Sequence, residues 1–349
     1  MHAESFQEKD IAAGKKVIVV GGGKSAIDCV NAASDVAESA TLLFREVHWP
    51  VPRHLLNLVP FKWGTYSRFG HATLPTYYDA GRCERVVHTA TKPLKWMWWR
   101  TVELMFRAQF RLSGDFVPDS RIEHDLFNGG QILSYDFRDK VKAKQVNAVK
   151  GTIARFTKSG VVLSDGTEMQ ADVVVFGTGF TKSYAYLDAN TQGLLGRERD
   201  GLWLYRNMFP TRVANLCFVG AEVSTFNNIL TQGLQTLWLQ RVLTGQISLP
   251  SPETMDQDIE NQKEWKRSWM PAKGDRAAIL QLHKMKYHDR LCKDMGVKHK
   301  RKGWNIFGEC FAPYTAADYR SLFQQKRTAC SAPTLLGTNG GSKDAKLQQ

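Results

Sequence analysis

The chain has 349 residues, 43% hydrophobic and 23% charged, with a formal net charge of +13. That length supports two domains with proper cores, and the composition is that of an ordinary soluble globular protein rather than a disordered or disulfide-stapled one. No uncharged apolar run approaches the ~18 residues of a spanning helix, and "MHAESFQEKD" has no apolar stretch of a secretory signal, so neither a transmembrane segment nor a leader is expected.

In chain order, Lys16–Val20 (KVIVV) is a short β-branched run that ends in Gly21, Gly22 and Gly23. A helix-compatible segment follows from Lys24 to about Ala37, then a second apolar run, Ala40–Phe44. Strand, glycine turn, helix and strand make a βαβ unit, which belongs to a parallel sheet with a right-handed crossover. From His48 to about Phe127 the pattern changes to aromatics and prolines, with helix-length segments near Tyr78–Thr89 and Trp96–Arg111; this reads as a helical insertion. The Trp-rich part, Leu94 to Leu112, is interrupted by Lys95, Arg100, Glu103, Arg107 and Arg111. It reads as a half-buried amphipathic helix, and lying on a membrane or on another domain is the competing reading. Residues 146–180 look like a β-meander with a turn at Ser164–Thr167 and a buried strand at Val173–Phe176. Leu216–Val219 is a further expected strand. A helix from about Ile229 to Leu243 is expected next, with Gly245 at the C-cap position. Residues 251–325 read as mixed and helical, and 329–349 as a disordered polar tail.

The cysteines (Cys29, Cys83, Cys217, Cys292, Cys310, Cys330) form no C-x-x-C pair, which removes the main support for a redox dithiol and suits a reducing, cytoplasmic compartment. The histidines show no H-E-x-x-H spacing, so no metal is expected. Ser25 fails as a G-x-S-x-G nucleophile because Ile27 stands at the last glycine. The positive charge is spread along the chain. Its one dense run, Lys298–Lys302 (KHKRK), has no nucleic-acid signature beside it and reads as a solvated loop, so no nucleic-acid partner is expected.

Gly23-Lys24-Ser25 could close a P-loop, but G-x-x-x-x-G-K-[ST] would put its first glycine at Ile18, inside the strand. Gly21-x-Gly23-x-x-Ala26 fits a dinucleotide turn instead. Gly21 permits the turn, Gly23 admits the pyrophosphate, and the small Ala26 lets the helix pack on the strand. The pyrophosphate then meets the positive end of the helix. At the end of the second strand an acidic residue would bind the adenosine ribose and an arginine the 2′-phosphate. Arg45 stands first there and Glu46 second, which favours NADP; Lys24 and Ser25 in the turn complete the expected contacts.

These residues resemble the flavin-containing monooxygenase family. The resemblance rests on Gly21–Asp28 (GGGKSAID), on Arg45 with the following HWPVPR, on Phe176-Gly177-Thr178-Gly179-Phe180, and on His2-x-x-x-Phe6, which matches the second half of the family's identifying motif. It spans residues 1 to about 245. The implied fold is α/β: a Rossmann-like NADPH-binding domain (14–176) with a helical insertion near 48–127, then the C-terminal part of a FAD domain (177–328), with 1–13 the remnant of a linker. The implied activity is oxygenation of a small-molecule nitrogen or sulfur nucleophile by FAD, NADPH and O2 through a C4a-hydroperoxyflavin. A ketone is the substrate in the Baeyer–Villiger branch. Gly177, Thr178 and Gly179 would form the hinge back to the FAD domain, with an ordinary strand-ending turn as the other reading. Leu216–Gly220 with Ala221-Glu222 resembles a strand that touches the flavin ribityl chain, although Glu222 stands where an Asp is usual. No catalytic side chain is assigned, because the flavin carries the chemistry. The family's first glycine unit, for FAD, precedes the motif inside which this chain starts. The expectation is therefore the C-terminal two thirds of such an enzyme. The alternatives are a non-catalytic NADP-binding sensor and a flavin reductase of the disulfide-oxidoreductase type, the latter opposed by the lack of C-x-x-C. The oligomeric state is not read from the sequence.

Overall fold

β-branched residues favour extended backbone and glycines end it, and the chain follows that rule at its first element. In the computed structural model, which describes residues 1–127 and 136–324, Lys16–Val20 is strand β1 and Lys24–Ala33 is helix α1. Ser39–Phe44 (β2) pairs in parallel with β1, Val17 opposite Ala40 and Val20 opposite Leu43. Helix α1 stops one turn short of the expected Ala37, where Ser34 turns its hydroxyl back to donate to the Asn31 carbonyl (2.8 Å).

Beyond the insertion come α4 (Asp136–Lys142) and five short strands: β3 (Val146–Lys150), β4 (Ile153–Phe156), β5 (Gly160–Leu163), β6 (Glu168–Gln170) and β7 (Val173–Phe176). The expected meander is thereby corrected. Only β4, β5 and β6 form an antiparallel sheet, whereas β3 and β7 leave it to join the parallel one, whose order is β3-β2-β1-β7. The reason is burial on both faces. Val17 and Val19 point to α1 and meet Ala26 and Val30, while Ile18 and Leu43 point the other way and meet Val161 and Leu163 of the small sheet. Near-continuous apolar strands such as β1 and β7 need cover on both sides, and the helices and the small sheet supply it. The N-terminus extends this layer. The Met1 amino group donates to the Val174 carbonyl (2.9 Å), the Phe176 amide donates to the Met1 carbonyl (2.8 Å), and Phe6 is buried in the α1 face.

The insertion carries α2 (Arg82–Ala90) and α3 (Lys92–Phe110). One side of α3, with Trp99, Phe106 and Phe110, packs on Trp49, Ile122 and Phe127, and this core is shared with Met270, Ile279 and Leu282 from the C-terminal third. The insertion therefore joins the sheet domain to the rest of the chain. The C-terminal third is built on α5 (Asn228–Leu243), α6 (Pro252–Trp269) and α7 (Lys284–Asp294) around Leu234, Trp238 and Leu291. Gly245 follows α5 with φ +72°, the left-handed conformation of a C-terminal cap. The expected strand at Leu216–Val219 is not one. Among the described residues it has no ladder, and the Phe218 amide donates only to the Met208 carbonyl (2.8 Å). A four-residue apolar run becomes a strand only by pairing, and this one pairs with no described strand. The tail at 329–349 lies outside the described residues.

Helix α1 packs closely on the end of β7. A Cβ on Gly177 would stand 2.6 Å from the Ala26 Cβ, with the α1 backbone behind it. Gly177→Ala should therefore destabilise the fold by ~1–3 kcal/mol, the cost of overpacking a rigid contact. Urea unfolding checks this, and an unchanged midpoint would show that the contact yields freely.

Candidate dinucleotide-binding site

Four chain ends converge on the glycine turn. Gly21 has φ +138°, and a Cβ there would lie 2.4 Å from the Gly177 carbonyl oxygen; one on Gly22 would lie 2.4 Å from the Glu46 carbonyl oxygen. The Gly21 amide donates to the Leu43 carbonyl (2.9 Å) and the Gly177 amide to that of Val20 (2.8 Å). The end of β1, the end of β7, the loop after β2 and the first turn of α1 thus meet with no room for side chains. Gly22, which the motif treats as a free position, is under the same steric demand as Gly21. The glycine between the two motif glycines was the available signal.

The turn leaves donors behind. Gly23 caps α1 without a side chain, and Ile27 is the first helical amide to find an acceptor, the Gly23 carbonyl (3.1 Å). The amides of Lys24, Ser25 and Ala26 have no acceptor among the described residues. They concentrate the positive end of the helix dipole where a phosphate fits.

The remaining predicted residues fall around this point, engaged in different ways. The Lys24 ammonium is held by Asp28 one turn along α1 (2.7 Å), with both side chains half exposed. Arg45 is exposed just past β2 and has no ion pair with another described residue. Gly177 is buried and Thr178 exposed; Gly179 has φ +88°, and its carbonyl faces the His2 Nε2 at 3.0 Å. The loop after Arg45 is fixed from the insertion. The buried Asp125 carboxylate accepts from the Trp49 amide (2.6 Å) and pairs with His48 Nδ1 (2.8 Å).

Beside Gly22 opens a mainly apolar cleft of about 190 Å³. Leu42 and Phe44 of β2 floor it, Ile27 and Phe137 wall it, and Arg111 and Arg138 line it. Burial holds the Arg138 guanidinium below its ordinary pKa; Asp139 opposes this shift and the nearby charge of Arg111 adds to it. Two guanidiniums at one apolar cleft favour an anion carrying an aromatic ring. Sequence reasoning missed both, since they lie 66 and 93 positions beyond Arg45 with no motif around them.

Glu222 is tied into the fold. It is buried, its carboxylate accepts from the Tyr184 hydroxyl (2.7 Å) and from the Lys182 ammonium (3.1 Å), and its carbonyl accepts from the Asn207 side chain (3.0 Å). Among the described residues no group of three or more His, Cys, Asp or Glu side chains is arranged to hold a metal ion, and no helix is long and apolar enough to cross a membrane.

Comparison with known proteins agrees with this geometry. Residues 1–307 match the family described as flavin-binding monooxygenase-like. The flavin-containing monooxygenase 3 of Macaca mulatta is 26% identical over 85% of this chain and 51% of its own length. The probable flavin-containing monooxygenase 1 of Arabidopsis thaliana is 26% identical over 93% of this chain and 62% of its own length. Among solved structures, a steroid monooxygenase bound to NADP aligns with a TM-score of 0.51 at 14% identity, covering 82% of this chain and 66% of that one. A cyclohexanone monooxygenase aligns with a TM-score of 0.50 at 17% identity, covering 81% and 64%. The chain belongs to the flavin-binding monooxygenase-like family, whose members are flavoproteins that use FAD and NADPH. It spans about half the length of the curated mammalian relatives it matches.

The residues present fit one of the two cofactors. The glycine cradle, the free first-turn amides and the unpaired Arg45 suit an NADP pyrophosphate and 2′-phosphate. Glu222, in the segment expected to meet the flavin, is engaged within the fold by Tyr184 and Lys182. If Glu222 is a structural hub, Glu222→Leu should cost ~1–3 kcal/mol by stranding the buried Tyr184 hydroxyl, while NADPH affinity stays within about twofold. Thermal melts and NADPH titration check this; unchanged stability with lost binding would assign Glu222 to the cofactor.

Proposed function

We propose that this chain supplies the NADPH-binding turn and the adjoining C-terminal region of a flavin-dependent monooxygenase. The enzyme would oxygenate a small-molecule nitrogen or sulfur nucleophile with NADPH and O2. The observation that carries the reading is the first turn of α1: three amides without an acceptor among the described residues, at a convergence of Gly21, Gly22 and Gly177 that excludes side chains. Such a turn accepts a pyrophosphate, and Gly21, Gly23, Lys24, Ser25 and Ala26 would lie along it.

Arg45, exposed and unpaired at the end of β2, is the residue for the 2′-phosphate. Lys24 would add charge once released from Asp28. The apolar cleft with Arg111 and Arg138 suits the adenine ring beside it. Residues 14–176 form the NADP-binding domain in this reading. The part from Gly177 onward, hinged at Gly177–Gly179, would face the flavin. FAD, when bound, supplies the redox and oxygen chemistry. This chain's own residues hold the nicotinamide dinucleotide and set its orientation.

Arg45→Ala should weaken NADPH binding by ~10- to 100-fold and NADH binding by less than about threefold, since only NADPH presents the charge-assisted pair. Fluorescence titration with both nucleotides checks this, and equal losses would contradict the 2′-phosphate role. On the same preparation, flavin absorbance after FAD reconstitution and NADPH-dependent oxygen uptake test the oxygenase reading. NADPH binding with no flavin under any condition would favour the sensor reading.

A further inference from the structure

A polar cleft of about 870 Å³ lies between the turn at 197–200 and the segment at 272–276 that follows α6. Five cationic side chains and two carboxylates line it. The turn reads Arg197-Glu198-Arg199-Asp200, alternating cation and carboxylate. It closes on itself: the Glu198 amide donates to the Gly201 carbonyl (3.0 Å), and the Gly201 amide donates back to that of Glu198 (3.1 Å).

Both carboxylates are engaged in holding this turn to α6. Arg267 donates to Asp200 from Nε (2.9 Å) and Nη2 (2.8 Å), and to Glu198 from Nη2 (2.6 Å). Glu198 also pairs with Lys263 (2.7 Å), and Arg276 reaches Asp200 (3.4 Å). The Arg267 hydrogen bonds hold the Asp200 carboxyl down at about 2, against the opposing effect of burial. The structural task of the network is complete with these pairs.

Positive charge is left over. Arg199 is exposed and has no ion pair with another described residue. Arg197 donates to the Lys182 carbonyl (3.0 Å) and lies over the Tyr184 ring (5.7 Å to its centroid), and it too has no carboxylate partner among the described residues. On the facing wall stand Lys273 and Gly274. Burial lowers the pKa of the Lys273 ammonium, while the carboxylates of Asp275, Asp125 and Glu46 oppose that shift. The Gly274 amide has no acceptor among the described residues. Asp275, the next residue, is exposed and does not line the cleft.

A concavity lined by one sign of charge focuses its field and concentrates counter-ions. Guanidinium forks match pairs of phosphate or carboxylate oxygens. One oxyanion group would meet only one wall, whereas this cleft carries cations on both. We propose that it binds a small multivalent oxyanion, a molecule with two or more phosphate or carboxylate groups, between Arg197 and Arg199 on one wall and Lys273 and the Gly274 amide on the other. None of these residues belongs to the glycine turn, and the nucleotide-site reading is not used.

The test is isothermal titration of the full chain with fructose 1,6-bisphosphate and with citrate. At least one should bind, with an affinity that falls as salt rises. Binding of the bisphosphate alone assigns the cleft to phosphates, and of citrate alone to carboxylates. Arg199→Gln should weaken binding by ~10-fold, and Lys273→Gln added to it by ~10-fold more. Glu198→Gln, which makes the cleft more positive by one charge, should tighten binding by about threefold. Lys300→Gln, in the basic run outside the cleft, leaves it unchanged. Circular dichroism shows which variants stay folded, and Arg199→Gln alone, on an exposed side chain, keeps the test valid if the others do not. Binding of neither anion, or binding that Arg199→Gln leaves intact, overturns the proposal. So does an equal loss in Lys300→Gln, which would mark a diffuse effect of net charge.

Discussion

Gly177 and Ala26 approach so closely that a single methyl group on Gly177 would collide with the Cβ and backbone of α1. Much else follows from that contact. It presses the first turn of α1 against the ends of β1 and β7, and Gly21 can complete the turn only because its Cα carries no side chain beside the Gly177 carbonyl. With the helix held there, its first amides are left with no acceptor among the described residues. The same steric constraint that packs the sheet domain thus shapes the helix end at which the pyrophosphate is proposed to sit. One residue set serves both, which is why the turn is glycine-rich on each side of α1.

Around that fixed point the chain is organised by burial. Alternate residues of β1 feed two cores, one with α1 and one with the small antiparallel sheet. The insertion contributes more than bulk. Through Asp125 it holds His48 and Trp49, and hence the path of the chain just after Arg45. Through Trp99, Phe106 and Phe127 it joins Met270, Ile279 and Leu282. The position of Arg45 is thereby coupled to the C-terminal third of the chain.

Local chemistry was the legible part of this sequence. β-branched residues before Gly21, the small Ala26 and the left-handed Gly245 each announce an element boundary without help from distant residues. Partnering was not legible. Val146–Lys150 and Val173–Phe176 look like members of a meander because they flank one, yet they pair in parallel with β2 and β1. That choice depends on which sheet edges are open, a three-dimensional fact. Leu216–Val219 has the apolar character of a strand but no edge to join. Arg111 and Arg138 reach their cleft from the insertion and from α4, so no spacing near Arg45 could reveal them. Likewise nothing in the sequence shows that the Trp-rich helix and the basic run come to one surface through Phe69, Phe311 and Arg68.

The central claim is that the first turn of α1 receives the NADPH pyrophosphate. The most direct measurement is amide hydrogen exchange of the full chain with and without saturating NADPH. Exchange at Lys24, Ser25 and Ala26 should slow by ~10-fold or more on binding, with smaller changes along α5 and α6. NADPH binding that leaves those three amides exchanging at their free rate, with protection elsewhere, would contradict the account.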